Sequence, residues 1–271
     1  MTNIHPTALI SDDVKLGDNV EIGPYSVLEG AISIGDNAQI KSHVSIAGNT
    51  TIGSGLKAYP FASIGHDPQD LKYNGEDTKL VIGDNCIVRE GVTINPGTVT
   101  GSSVTTIGNG CALLANSHVA HDCELGNGII LSNGVLLAGH VVLGDNVIMG
   151  GASAVKQFTR IGEHAFIGGN SGLGKDVIPF GVAVGNRAWL GGLNLFGMRR
   201  HNIAIESINA VRQAYKELFV EGEDEGVLKE RLGKLTPELL EDPLVARMME
   251  FIQESADANR PLCIPRIDEE L

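Results

Sequence analysis

Three side chains that can bind a metal or move a proton fall within the string "SHVAHDC": His118, His121 and Asp122. Imidazole titrates near neutral pH, and it can take a proton from a hydroxyl once a carboxylate or carbonyl fixes its tautomer. His121 with Asp122 beside it has the composition of a base and its orienter. If such a base activates a hydroxyl to attack a carbonyl, a donor is also needed at the developing oxyanion, a contact worth about 3 kcal/mol. Gly139, next to His140, has no side chain to cover its backbone N–H. No Ser or Cys stands in a nucleophile motif, which favours direct transfer over a covalent intermediate. Alternatively, these histidines are solvated strand residues or metal ligands. The choice depends on whether His121, Gly139 and Gln157, which are eighteen residues apart in sequence, meet in space.

The elements that would bring them together are written in a six-residue repeat. From Ile4 to Ile64 every sixth residue is Ile or Leu, except Ala58. The pattern returns in register at Ile82, Val88 and Ile94, slips by one residue through "TVTGSSV", and runs unbroken with aliphatic leaders from Ile107 to Leu173. A period of six is neither helical nor that of a lone alternating strand. It fits short strands that turn a corner every six residues, making triangular coils of about eighteen stacked about 4.8 Å apart. Gly, Asp and Asn after each leader suit corners that need positive φ. The residue four after each leader also faces inward, which makes Cys86, Cys111 and Cys123 packing residues. In this winding Gly139 lies over His121 and Gln157 over Gly139.

Composition agrees with a repetitive β structure: 35 Gly and 4% aromatics in 271 residues that are 42% hydrophobic. The net charge of −13 argues against general nucleic-acid binding. No basic-plus-apolar leader and no apolar run of about 18 residues is present, so no transmembrane segment is expected and a cytoplasmic protein is the default. The cysteines lack CxxC spacing. Residues 156–200 carry six Lys and Arg (Lys156, Arg160, Lys175, Arg187, Arg199, Arg200) against Glu163 and Asp176. A local basic stretch on an acidic chain suits a small anionic ligand.

The repeat yields in three places. "GHDPQDLKYNGEDTK", residues 65–79, reads as a polar loop that replaces a turn's worth of strand and is a candidate for function. "TVTGSSV" carries no message of its own. After about residue 190 the period becomes helical, with an apolar stripe Ile205, Ile208, Val211, Tyr215, Leu218, Phe219, a second helix near 226–234, a third through Leu244, Met248 and Phe251, and an irregular tail. Two domains are expected, 1–190 and 191–271, the second closing the last coil's sheet edge.

The repeat resembles the hexapeptide-repeat acyltransferases, and that resemblance implies an all-β, left-handed parallel β-helix followed by a small C-terminal α-helical domain. "SHVAHDC", "LAGHV", "KQF", "QDLKY" and "GGLNLFGMRR" together are similar to the UDP-N-acetylglucosamine acyltransferases over nearly the whole chain. The resemblance implies transfer of an (R)-3-hydroxyacyl chain from the phosphopantetheine of acyl carrier protein to the 3-position of UDP-N-acetylglucosamine, the first step of lipid A biosynthesis. It implies a homotrimer with sites between subunits and no bound cofactor or metal. His121 becomes the general base, Asp122 its orienter and the Gly139 N–H the oxyanion donor. Asp70, Lys72 and His118 would contact sugar or acyl donor, and His140 and Gln157 would line the cleft. Asn194, Arg200 and nearby Arg187 would hold the nucleotide, and Gly169 would leave the acyl groove open. Lys156, Phe196, His201 and "INPGT" depart from the family's usual residues. A 3-amino UDP-sugar is an alternative acceptor, and absence of a long N-terminal uridine-binding domain argues against the later N-acyltransferase of the pathway. A zinc trimer of the β-helix carbonic anhydrase kind, using His118, His121 and His140, is a remoter reading, because HxxH on a strand diverges and Asp122 suits a dyad better. A non-catalytic solenoid would show a regular outward array, which this chain lacks.

Overall fold

A computed structural model describes residues 1–219, 225–233 and 235–266. Short strands, parallel except for the last, form sheets of eleven, nine and eight members, and as far as Gly172–Leu173 they pair three places along the chain. This is a parallel β-helix with three faces. The expected eighteen-residue register holds: Ile107 pairs with Leu125, Leu125 with Leu143 and Leu143 with Ile161. The leading aliphatics form the core, and the stack Leu113, Leu131, Met149, Ile167 is fully buried. Cys86, Cys111 and Cys123 are buried inside the coil as expected, and they are free thiols.

Corner residues carry the cost of the winding. Asn19, Asn37, Asn85 and Asn146 take φ near +54 to +59°, and so do bulkier residues such as His140 (+62°) and Phe158 (+66°). Left-handed backbone is unfavourable for such side chains. Backbone bonds between coils offset it: the N–H groups of Asn146, His140 and Phe158 donate to the carbonyls of Asn127, His121 and Gly139 at 2.8, 3.0 and 3.2 Å.

Two coils are longer than the rest. Ile52 pairs with Ile82 and Ile82 with Ile107, offsets of 30 and 25 residues in place of 18. The segment from residue 65 is therefore an addition of twelve residues, and it does not replace strand: Lys79–Ile82 is a full strand of its sheet. Twelve is twice six, so the period returns in register, and periodicity alone cannot separate insertion from replacement. The slip before Ile107 is an addition of seven.

After the last coils, strand Trp189–Leu193 turns back antiparallel on Gly181–Val184. Among the described residues five helices follow: α1 (Leu195–Arg200), α2 (Ile205–Leu218), α3 (Glu225–Leu232), α4 (Pro237–Leu240) and α5 (Pro243–Asp257). Ile208, Val211 and Leu218 of the expected stripe are buried, whereas Ile205, in the first turn, is exposed. Residues 261–266 of the tail are more ordered than their sequence suggests, and 267–271 lie outside the described residues. The Cys263 N–H donates to the Asp176 carbonyl (2.8 Å) and the Ile264 carbonyl accepts from Leu190 (2.9 Å), so residues 261–264 cover the open end of the coil. No helix among the described residues is long and apolar enough to cross a membrane.

Leu131→Ala empties one place in the central stack and is expected to lower stability by roughly 3 kcal/mol. Chemical denaturation followed by circular dichroism checks this, and an unchanged midpoint would contradict the packing described.

Candidate active site

Strands His118–Val119, Leu136–Leu137 and Ala154–Val155 are neighbours in the nine-stranded sheet. His121, Gly139 and Gln157 occupy the corner after each. A Cβ on Gly139 would fall 2.5 Å from His121 Cε1 and 2.6 Å from Nε2. Gly139 therefore does more than leave its N–H uncovered: it vacates the volume that the imidazole fills. Among the described residues its N–H donates to no other protein group.

His121 Nδ1 lies 2.9 Å from Asp122 Oδ2, and both residues are buried. The Asp122 carboxylate also accepts from the Thr98 N–H (3.0 Å), the Thr98 hydroxyl (2.6 Å) and the Ser102 hydroxyl (3.2 Å). Its own N–H donates to Thr105 Oγ1 at 2.8 Å, pinning the left-handed corner. Burial alone would raise the carboxyl's pKa, but the hydrogen bonds from Thr98 and His121 and the proximity of His140 outweigh it and hold it below the usual carboxylate range. Asp122 is thus an anion, and its bond selects the His121 tautomer with Nδ1–H, leaving Nε2 free to accept a proton. Thr98 and Ser102 are functional residues that sequence reasoning passed over. They lie in "TVTGSSV", and the signal available was its position, a break in period one coil before Asp122. Gly101 belongs to the same support, since a Cβ there would strike the Asp122 carboxylate at 2.4 Å.

His140 packs edge-on against His121 (5.0 Å between centroids) and face-on against Phe158 (4.4 Å). Its Nε2 is 3.9 Å from Asp122 Oδ2. Burial depresses its pKa and His121 adds to this, while Asp122 and Asp70 oppose it. His118 Nδ1 sits 2.7 Å from Thr93 Oγ1, and burial followed by the nearness of His121 depresses its pKa as well. His118 and His121 line one groove, against the divergence expected of HxxH. The alternation rule applies within a strand, and His121 lies in the corner beyond it.

A cleft of about 880 Å³ brings His121, His140 and Gln157 together with Asp70 and Lys72 of the long loop. A groove of about 620 Å³ continues from it along the sheet face past His118, Leu136 and Gly139. Asn95 ties the loop down, its Nδ2 donating to the carbonyls of His66 and Asp67 (3.0 and 3.1 Å). The departure at "INPGT" thus supplies both the loop's anchor, Asn95, and the dyad's, Thr98. Gln69 lines cleft and groove alike and was not singled out from sequence.

The remaining candidates lie elsewhere in the chain. Arg187 lines a cavity of about 990 Å³ with Lys156, Trp189 and Arg266, which meets the groove at Ala154 and Val155. Gly169 occupies the corner after Phe166–Ile167, on a different sheet. Asn194 caps α1, its Oδ1 accepting from the Gly197 N–H at 2.9 Å and its Nδ2 donating to the His164 carbonyl at 2.9 Å. Arg200 is exposed in the last turn of α1. Of the departing residues, Phe196 is exposed and His201 packs edge-on against His164 at 4.8 Å. Arg160, counted with the basic stretch, pairs with Glu254 at 2.8 Å.

One group among the described residues has metal-ligating atoms close together: His121, Asp122 and His140, all within 4.8 Å. His118 is outside it. The carboxylate in this group already accepts from Thr98, Ser102 and His121, which leaves it poorly disposed to ligate.

Coil and corner dyad together define a hexapeptide-repeat transferase. Family models agree: bacterial transferase hexapeptide matches residues 104–139, hexapeptide repeat of succinyl-transferase matches 159–192, and UDP-N-acetylglucosamine O-acyltransferase domain 2 matches 176–263. An acyl-[acyl-carrier-protein]–UDP-N-acetylglucosamine O-acyltransferase of Sulfurovum is 55% identical over 82% of this chain and 85% of its own. One of Sinorhizobium fredii is 46% identical over 97% and 95%. The UDP-N-acetylglucosamine O-acyltransferase of Moraxella catarrhalis superposes with a TM-score of 0.89 at 40% identity, covering 97% of this chain and 99% of that one. The chain belongs to the UDP-N-acetylglucosamine O-acyltransferase family.

Two variants probe this geometry. Gly139→Ala is expected to displace the His121 ring and break its bond to Asp122, seen as loss of the hydrogen-bonded Nδ1–H resonance by NMR. Thr98→Val removes one donor from Asp122. A depressed carboxyl stabilises the fold above its unfolded-state pKa, and that stability is lost as pH falls through the folded-state value. The variant should therefore be less stable at neutral pH by about 1–2 kcal/mol, with the gap closing in acid. An equal loss at every pH would contradict the carboxylate's role.

Proposed function

We propose that this protein transfers an (R)-3-hydroxyacyl chain from acyl carrier protein to the 3-hydroxyl of UDP-N-acetylglucosamine, the first step of lipid A biosynthesis. The observation that carries the reading is the buried His121–Asp122 dyad pressed against Gly139 in a cleft open to the loop that bears Asp70 and Lys72.

The acceptor hydroxyl gives its proton to His121 Nε2 as its oxygen attacks the thioester carbonyl carbon. Asp122 holds the ring and stabilises the imidazolium that forms. The carbonyl oxygen becomes an oxyanion and meets the Gly139 N–H. Collapse re-forms the carbonyl, breaks the C–S bond and expels the phosphopantetheine sulfur, which takes the proton back from His121. No covalent acyl-enzyme and no cofactor enters these steps. His118, His140 and Gln157 line the path of sugar and acyl chain, and Asp70 and Lys72 close it.

The enzyme works as a cytoplasmic homotrimer. Arg187, Asn194, Arg200 and Gly169 lie outside the His121 cleft of a single chain, and they reach a substrate there when a neighbouring subunit presents them. The half-exposed Leu136 beside His118 supports such a neighbour along this face. In this division residues 1–190 carry the chemistry, while 191–271 close the coil and supply nucleotide contacts.

His121→Ala should reduce acyl transfer about 100- to 10,000-fold while leaving the fold intact. Mass spectrometry of products, with UDP-N-acetylglucosamine and its 3-amino analogue offered alongside a ladder of acyl carrier protein donors, checks the reaction and identifies the acceptor. Wild-type turnover by the variant would rule out His121 as base. Gly169→Met should shorten the chain transferred, and an unchanged product profile would remove Gly169 from the acyl groove.

A further inference from the structure

The C-terminal segment reaches the corner at Phe158 through the Arg260 side chain. The Arg260 guanidinium grips Asp176 with two nitrogens, Nε to Oδ2 at 2.7 Å and Nη2 to Oδ1 at 2.9 Å. Asp176 is itself buried, and it also accepts from the Arg160 N–H (2.8 Å) and the Ser255 hydroxyl (3.2 Å). The fork is therefore fixed in place, as a lysine ammonium would not be. From that position Arg260 Nη2 also donates to the carbonyl of Phe158. Phe158 is the left-handed corner residue whose N–H donates to the Gly139 carbonyl at 3.2 Å and whose ring lies parallel to His140, 8° between planes. His140 in turn meets His121 edge-on.

We propose that Arg260 is a positioning residue for the reaction. It ties the Phe158 backbone at its carbonyl, opposite the end tied to Gly139, and so holds the Gly139 peptide and the His140 ring against His121. The N–H bond to Gly139 and the stacking on His140 hold Phe158 from one side, and the Arg260 bond holds the other peptide of a bulky residue kept at positive φ. The C-terminal segment thereby acts on the chemistry as well as covering the coil. The inference rests on His121 being the base, and it deepens that reading.

The test combines turnover with histidine NMR on the full-length protein, using Arg260→Gln, Arg260→Lys, Phe158→Leu, the double variant, and Glu254→Gln as a control. The control breaks another contact between the C-terminal helices and the coil, Arg160–Glu254. In the wild type the parallel Phe158 ring shifts the His140 ring protons upfield, assigned by comparison with His140→Gln. Arg260→Gln should lose much of that shift and lower kcat roughly five- to tenfold, with KM little changed. Arg260→Lys should fall between it and the wild type. Phe158→Leu should lose the shift and a similar part of kcat, and the double variant should be no slower than the worse single variant. Glu254→Gln should change neither. Wild-type kcat in Arg260→Gln, or lost turnover with the His140 resonances in place, overturns the proposal. Should Arg260→Gln not fold, Arg260→Lys and Phe158→Leu decide by the same two readings. A wild-type enzyme without acyl transfer would refute the functional reading alone, since the His140 shift still reports the link to Arg260.

Discussion

The parallel hydrogen-bond ladder between coils is the constraint on which this molecule depends. It fixes residue i over residue i+18, and so brings Gly139 over His121. His121 comes from one coil, Gly139 from the next and Gln157 from the one after, without any flexible element between them. Most corners are held by a backbone bond to the coil before them, and the Asp122 corner by its N–H on the Thr105 hydroxyl, so the site's geometry inherits the regularity of the sheets. Rigid placement of this kind is what preorganised catalysis requires.

Within that frame, polar groups are buried where they are fully answered. Asp122 would be costly without partners, and it has four donor groups: the Thr98 N–H and hydroxyl, Ser102 and His121. Asp176 repeats the arrangement at the far end, where it joins Arg260, Ser255 and the Arg160 backbone. One buried carboxylate thus organises the catalytic corner and another organises the closure of the coil. Phe158 and His140 lie between them.

Much of this was legible in the chain. The six-residue period gave the coil, the inward cysteines and the column His121–Gly139–Gln157, because in a solenoid spacing in sequence is distance in space. The period could say nothing where it was interrupted. A twelve-residue insertion returns in register and looks like a substitution of strand. Thr98 and Ser102 sit in a segment with no repeat to index it, so their approach to Asp122 had no signature beyond the slip itself. Asn194 and Arg160 illustrate a different limit. Composition marks them as polar or basic, but whether such a side chain is spent on a helix cap or an ion pair depends on neighbours far along the sequence.

Both insertions leave the helix at the same edge, after Ser63–Ile64 and after Thr93–Ile94, the edge that carries His121 after the next strand of that sheet. The ladder closes beneath each loop without reference to its length, and lengthening a loop costs little entropy. The first excursion is therefore free to vary in a way the faces are not, and can be exchanged or extended while the coil below keeps its dimensions. The second is bound by the hydrogen bonds of Thr98 and Ser102 to Asp122, so its length and sequence are tied to the dyad.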